Sequence, residues 1–86
     1  MTINKLPTNA ELVQTLIKSL QELDGVGSND QIRAQVIKIL SLPSELVDEI
    51  HSGKRTRLEY KLAWARTIAK QKGLIESTSH KLWKLV

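Results

Sequence analysis

The sequence predicts a mainly α fold closed by a C-terminal β-hairpin. Three observations carry that prediction. Before Gly73, apolar residues recur at helical spacing in four segments, the third of them short. After Gly73 the pattern changes to two strand-like runs, Leu74-Ile75-Glu76 and Leu82-Trp83-Lys84-Leu85-Val86. The chain has 86 residues, 41% of them apolar, which suits one core and therefore a single domain over residues 1–86.

Each element has its own signals. Thr8-Asn9-Ala10-Glu11 after Pro7 reads as a helix start. Leu12, Val13, Leu16, Ile17, Leu20 and Leu23 follow as one apolar stripe, and Asp24-Gly25 ends the helix. Gly25-Val26-Gly27 is long enough only for a turn or a single bridge of sheet. Ser28 and Gln31 have the spacing of a capping box. Ile32, Val36, Ile37 and Leu40 form the second stripe, which Pro43 stops, with Leu42 biased toward an extended form. Ser44 to Ile50 is predicted as a third, short helix, broken by His51-Ser52-Gly53.

The longest helical pattern runs from about Arg55 to Lys72. At about 100° per residue, Leu58, Leu62, Ala65, Ile68 and Ala69 share one face, with Trp64 at its edge. That face is expected to pack on Leu16, Ile17 and Leu20. Thr56, Glu59, Tyr60, Ala63, Arg66, Thr67 and Lys70 lie opposite. Gly73 stands where a C-cap glycine belongs, after Lys70 and Lys72, which suit the helix dipole. Polar Ser77-Thr78-Ser79-His80-Lys81 then turns the hairpin.

Composition excludes several classes. There is no cysteine, so disulfides, thiolate nucleophiles and cysteine zinc sites are absent. No apolar run approaches the ~20 residues that span a bilayer. The start, Met1-Thr2-Ile3-Asn4-Lys5-Leu6, lacks the apolar region of a secretory signal. A soluble cytoplasmic protein with no membrane partner is the expectation.

The net charge of +4 is unevenly spread. Residues 1–52 carry four bases against seven acids, net −3. Residues 53–86 carry nine bases against two acids, net +7. Such asymmetry points to a polyanion, usually nucleic acid and sometimes an anionic membrane.

Three helices closed by a terminal hairpin is the outline of a winged helix-turn-helix. The last helix of that fold enters the DNA major groove, with its N-terminal end nearest the base edges. Here that helix holds six of the nine bases of residues 53–86.

The stretch Arg57-Leu58-Glu59-Tyr60-Lys61-Leu62-Ala63-Trp64-Ala65-Arg66-Thr67, with Lys72-Gly73-Leu74-Ile75-Glu76 and Leu82-Trp83-Lys84-Leu85, resembles the N-terminal winged-helix domain of the Mrr-like restriction endonucleases. Trp64-Ala65-Arg66-Thr67, Gly73-Leu74-Ile75-Glu76 and Trp83 carry the resemblance, and Ser52-Gly53-Lys54 adds to it. It spans roughly the whole chain and is specific over residues 52–86. The family's Arg-Gly pair before the last strand is replaced by His80-Lys81, so the wing tip is expected to differ in shape. The resemblance implies a DNA-reading module joined to a C-terminal nuclease of the PD-(D/E)XK type that cuts DNA bearing modified, commonly methylated, bases. The chain ends with the wing, so a domain of a longer protein and a stand-alone homologue are both open.

The expected DNA contacts follow from charge and helix phase. Lys54, Arg55, Arg57, Arg66 and Lys70 are assigned to phosphates, and Thr56, Tyr60, Ala63 and Thr67 to the neighbourhood of the bases. His80 and Lys81 belong to the wing. A solvated charged face is the plainer alternative, as is an exposed loop histidine for His80. Tyr60 could instead pack under the loop at Gly53. Trp64 and Trp83 are expected in the core, as the largest side chains of a chain without phenylalanine; stacking on bases is the alternative.

No catalytic residue, metal site or cofactor is expected. His51 and His80 lack further ligands at metal-binding spacing. Gly53-Lys54 fails the phosphate-loop pattern, because Asp48 and Arg55 occupy the positions that need Gly and Ser or Thr. Glu59-Tyr60-Lys61 matches half of a nuclease motif but lies in mid-helix, where that motif needs a strand. The leading expectation is a module that binds double-stranded DNA and targets a nuclease domain in cis. Protein interaction or dimerisation without DNA contact is the alternative. A homo-oligomer would add avidity to a weak single module.

Overall fold

The computed structural model describes residues 7–48, 50–52, 55–78 and 80–86; the side chains of residues 50–52 and 55 fall outside that description. Helix α1 (Asn9–Glu22) is followed by strand β1 (Val26–Gly27), α2 (Asn29–Leu40) and α3 (Ser44–Val47). Strands β2 (Ile50–Ser52) and β3 (Arg55–Thr56) precede α4 (Arg57–Gln71), and β4 (Ile75–Ser77) and β5 (Trp83–Leu85) close the chain. This mostly helical chain with its terminal antiparallel hairpin is compatible with a winged helix.

α1 is the central helix and packs against both α2 and α4. Thr8 caps it, its hydroxyl accepting from the Glu11 N–H at 3.2 Å. Its buried face holds Leu12, Val13, Leu16 and Leu20. Thr15 and Ser19 are buried there too. Their hydroxyls donate to the Glu11 and Thr15 carbonyl oxygens, each at 2.8 Å, so neither is left unsatisfied. The predicted capping box forms on α2: the Gln31 N–H donates to Ser28 Oγ at 3.2 Å and the Ser28 N–H to Gln31 Oε1 at 2.9 Å.

The core joins these faces. Leu58, Leu62, Ala65 and Ala69 of α4 meet Leu12, Leu16 and Leu20 of α1 and Ile32 and Val36 of α2 in one cluster. Leu62 is 1% exposed, so the predicted phase of α4 holds. Ile17 and Ile68 lie at the rim. Trp83 and Leu85 of β5 also pack against the cluster, and Ile75 of β4 is buried in it.

Three helices end through left-handed residues, and one of these is glycine. Asp24 (φ 62°), Ser41 (φ 52°) and Gly73 (φ 74°) terminate α1, α2 and α4. After α4 the Gly73 N–H reaches the Lys70 carbonyl at 3.0 Å and the Leu74 N–H the Ala69 carbonyl at 2.9 Å. That is the Schellman pattern, which occupies carbonyls a helix end would otherwise leave bare.

β5 runs between β1 and β4, antiparallel to both. Val26-Gly27 therefore supplies the edge of a three-stranded sheet. Ile75 pairs with Leu85, Glu76 with Lys84 and Ser77 with Trp83. The Glu76–Lys84 pair adds a cross-strand ion pair at 3.2 Å on a half-exposed surface.

Two predicted boundaries are corrected. The third helix stops at Val47, not Ile50, because Ile50–Ser52 pairs with Arg55–Thr56 as β2 and β3. The long helix consequently begins at Arg57, not Arg55. Thr56 takes extended angles (φ −80°, ψ 160°), which β-pairing and N-capping both require. The connection from α2 to α4, residues 41–56, thus contains a short helix and a small hairpin instead of the tight turn of a minimal helix-turn-helix.

Candidate nucleic-acid interface

One face of α4 is committed to the core, so the opposite face is presented outward. Arg57, Tyr60, Trp64, Thr67 and Gln71 recur there at helical spacing, and Lys70 lies beside them; all are exposed. Ala63 and Arg66 are half-buried at the margins.

Thr56 is not on this surface. It is 9% exposed, and its hydroxyl both accepts from the Glu59 N–H at 3.1 Å and donates to Glu59 Oε1 at 3.1 Å. Capping the helix occupies the group that would have approached a base. Lys54 lies outside the described residues, and so does the side chain of Arg55.

The two tryptophans separate. Trp83 is half-buried against the core, and its indole Nε1 donates to Asn29 Oδ1 at 2.8 Å. Trp64 is 50% exposed, against the expectation that it fills the core. It follows Leu62 by two positions, about 200° around the helix, which carries it past the edge of the apolar stripe. Small Ala65 and Ala69 let α4 approach its neighbours without a large ring between them.

Tyr60, Ala63, Trp64 and Thr67 line a shallow recess of about 230 Å³. The Thr67 hydroxyl donates to the Ala63 carbonyl oxygen at 3.0 Å, one helical turn back. A second, more polar cleft of about 340 Å³ lies between α2 and α4, lined by Asn29, Asp30, Arg33, Glu59, Leu62 and Arg66. Among the described residues, Arg33 Nε is buried without a hydrogen-bond partner. Sequence reasoning misses Arg33 as a cleft-lining group and ranks base stacking by Trp64 below a core role. Arg33 is masked by its acid-rich half of the sequence, and Trp64 by its bulk.

The wing turn brings out His80 and Lys81, both exposed. Thr78 organises it. Its hydroxyl accepts from the His80 and Leu82 N–H groups, each at 3.3 Å, and its own N–H donates to the Leu82 carbonyl at 2.8 Å. Lys81 adopts φ 59°, the left-handed conformation that glycine takes more easily.

Among the described residues, no three His, Cys, Asp or Glu side chains are grouped to hold a metal ion. No helix among them is long and apolar enough to cross a membrane. Comparison with curated proteins and with solved structures gives no match. A family model does match: that of the Mrr N-terminal domain, over residues 10–86.

Proposed function

Since the chain belongs to the Mrr N-terminal domain family, a module of restriction systems, we propose that it binds duplex DNA through the exposed face of α4 and the β4–β5 turn. In that role it positions a nuclease domain in cis and performs no chemistry itself. The observation that carries the reading is the outward face of α4, where Arg57 and Lys70 flank Tyr60, Ala63, Trp64 and Thr67. It lies in the part of the sequence with nine bases against two acids. A helix with that exposure fits the major groove, and a wing carrying His80 and Lys81 reaches the adjoining backbone. The family resemblance extends the proposal to a preference for duplexes with modified bases.

Fluorescence anisotropy tests it. Matched unmodified, cytosine-methylated and adenine-methylated duplexes are titrated at two salt concentrations. Binding that weakens steeply with salt is expected from phosphate contacts. Tighter binding of a methylated duplex supports the modification preference. Absence of binding at low salt overturns the proposal.

The half-exposed Trp64 favours one other reading, a protein-interaction or dimerisation face. That reading predicts self-association or partner binding that changes little with salt.

A further inference from the structure

The recess on α4 is lined mainly by ring and methyl surface. Ala63 contributes a methyl group. Thr67 commits its hydroxyl proton to the Ala63 carbonyl oxygen at 3.0 Å and presents a methyl group beside an oxygen that can still accept. Tyr60 and Trp64 contribute ring surface and are 37% and 50% exposed. The four positions share one helix face, and together they line about 230 Å³. Exposed aromatic and methyl groups are thus concentrated between two bases of the same face, Arg57 and Lys70.

The surrounding charge selects the occupant. Arg57 stands one turn before Tyr60 on this face, and Lys70 one turn after Thr67. A polyanion complements that surround, and an uncharged partner helix gains nothing from it. In an unmodified duplex the edges of base pairs in the major groove offer one methyl group, the C5 methyl of thymine, which side chains such as Ala and the Thr methyl contact. We infer that the recess of Tyr60, Ala63, Trp64 and Thr67 receives the 5-methyl group of thymine in duplex DNA, and so favours sites with thymine at this turn of α4. The inference rests on the duplex-binding reading and names what that face selects.

Uracil pairs as thymine does and lacks only this methyl. Anisotropy titrations at two salt concentrations compare a thymine-rich duplex with the same duplex carrying uracil throughout. The uracil duplex is expected to bind about fourfold more weakly for each methyl seated in the recess, with the same salt slope. Trp64→Ala should bind the two duplexes alike. Lys70→Ala should weaken both equally and keep their ratio. Circular dichroism checks that each variant folds. Salt-sensitive binding with equal affinity for both duplexes overturns this inference and leaves duplex binding standing. Absence of salt-sensitive binding to either overturns duplex binding and this inference with it. Self-association that Trp64→Ala abolishes, with both DNA affinities unchanged, overturns it in favour of a second copy on this face.

Discussion

The indole Nε1 of Trp83 donates to Asn29 Oδ1 at 2.8 Å, joining the last strand to the first turn of α2. The ring packs on the core while its polar edge finds a partner, as a half-buried tryptophan requires. This bond couples the position of the wing to the start of α2. Asn29→Ala should cost about 1 kcal/mol in urea unfolding, since Ser28 still caps the helix. Asn29→Asp keeps an acceptor and adds a charge that suits a helix N-terminus, so it should recover the loss. Equal destabilisation by both variants would show that the bond itself contributes nothing.

Thr56 separates folding from binding. Its hydroxyl is engaged twice by Glu59, and the residue is buried. Thr56→Ala should lower stability by about 1 kcal/mol through removal of the cap, and Thr56→Ser should lie close to the parent. Neither should change the DNA affinity of the folded fraction. A large drop in affinity in a fully folded Thr56→Ala protein would place this hydroxyl on the DNA after all.

Much of the fold is legible because periodicity reports which residues share a face. Spacing alone puts Leu58, Leu62, Ala65 and Ala69 on one side of a helix, and all are buried. Ser28 with Gln31 and the helix-ending Gly73 are local signals whose chemistry acts within a few residues. The pairing of Ile50–Ser52 with Arg55–Thr56 is not legible. Both strands are too short to show an alternating pattern, and the second runs straight into a helix. The candidate surface is readable in part for a related reason. Helix phase identifies the outward face, but size and a place at the edge of the apolar stripe assign Trp64 to the core. The space there is filled by Leu58, Leu62 and the close approach of Ala65 and Ala69.

Two left-handed residues give predictions of opposite sign. Gly73 has φ 74°, and a Cβ added there would meet nothing within 4 Å. Gly73→Ala should therefore cost about 1 kcal/mol, all of it from backbone conformation. Lys81 has φ 59° with its side chain already present. Lys81→Gly should stabilise by less than about 1 kcal/mol, because the gain is partly offset by a more flexible unfolded chain. Thermal unfolding of the pair decides the matter. Destabilisation by Lys81→Gly would mean that the lysine side chain contributes more to the turn than its conformation costs.

Arg66, Lys70 and Tyr60 should respond differently if the face of α4 lies in a major groove. Lys70 is exposed in the last turn of the helix, and Arg66 lines the polar cleft shared with α2. Removing one phosphate-neutralising side chain should flatten the dependence of log K on log salt by about 0.9. Arg66→Ala and Lys70→Ala should show that change equally on every duplex, with folding intact. Tyr60 carries a ring and no charge, so Tyr60→Ala should leave the salt slope alone and alter the ranking of duplexes. Arg66 provides the internal check, because its cleft also contains Asp30, Arg33 and Glu59. If Arg66→Ala unfolds the protein while Lys70→Ala does not, the arginine joins α4 to α2 and its phosphate role falls. If both variants fold and neither changes the slope, the basic face of α4 is solvated and the interaction reading takes its place.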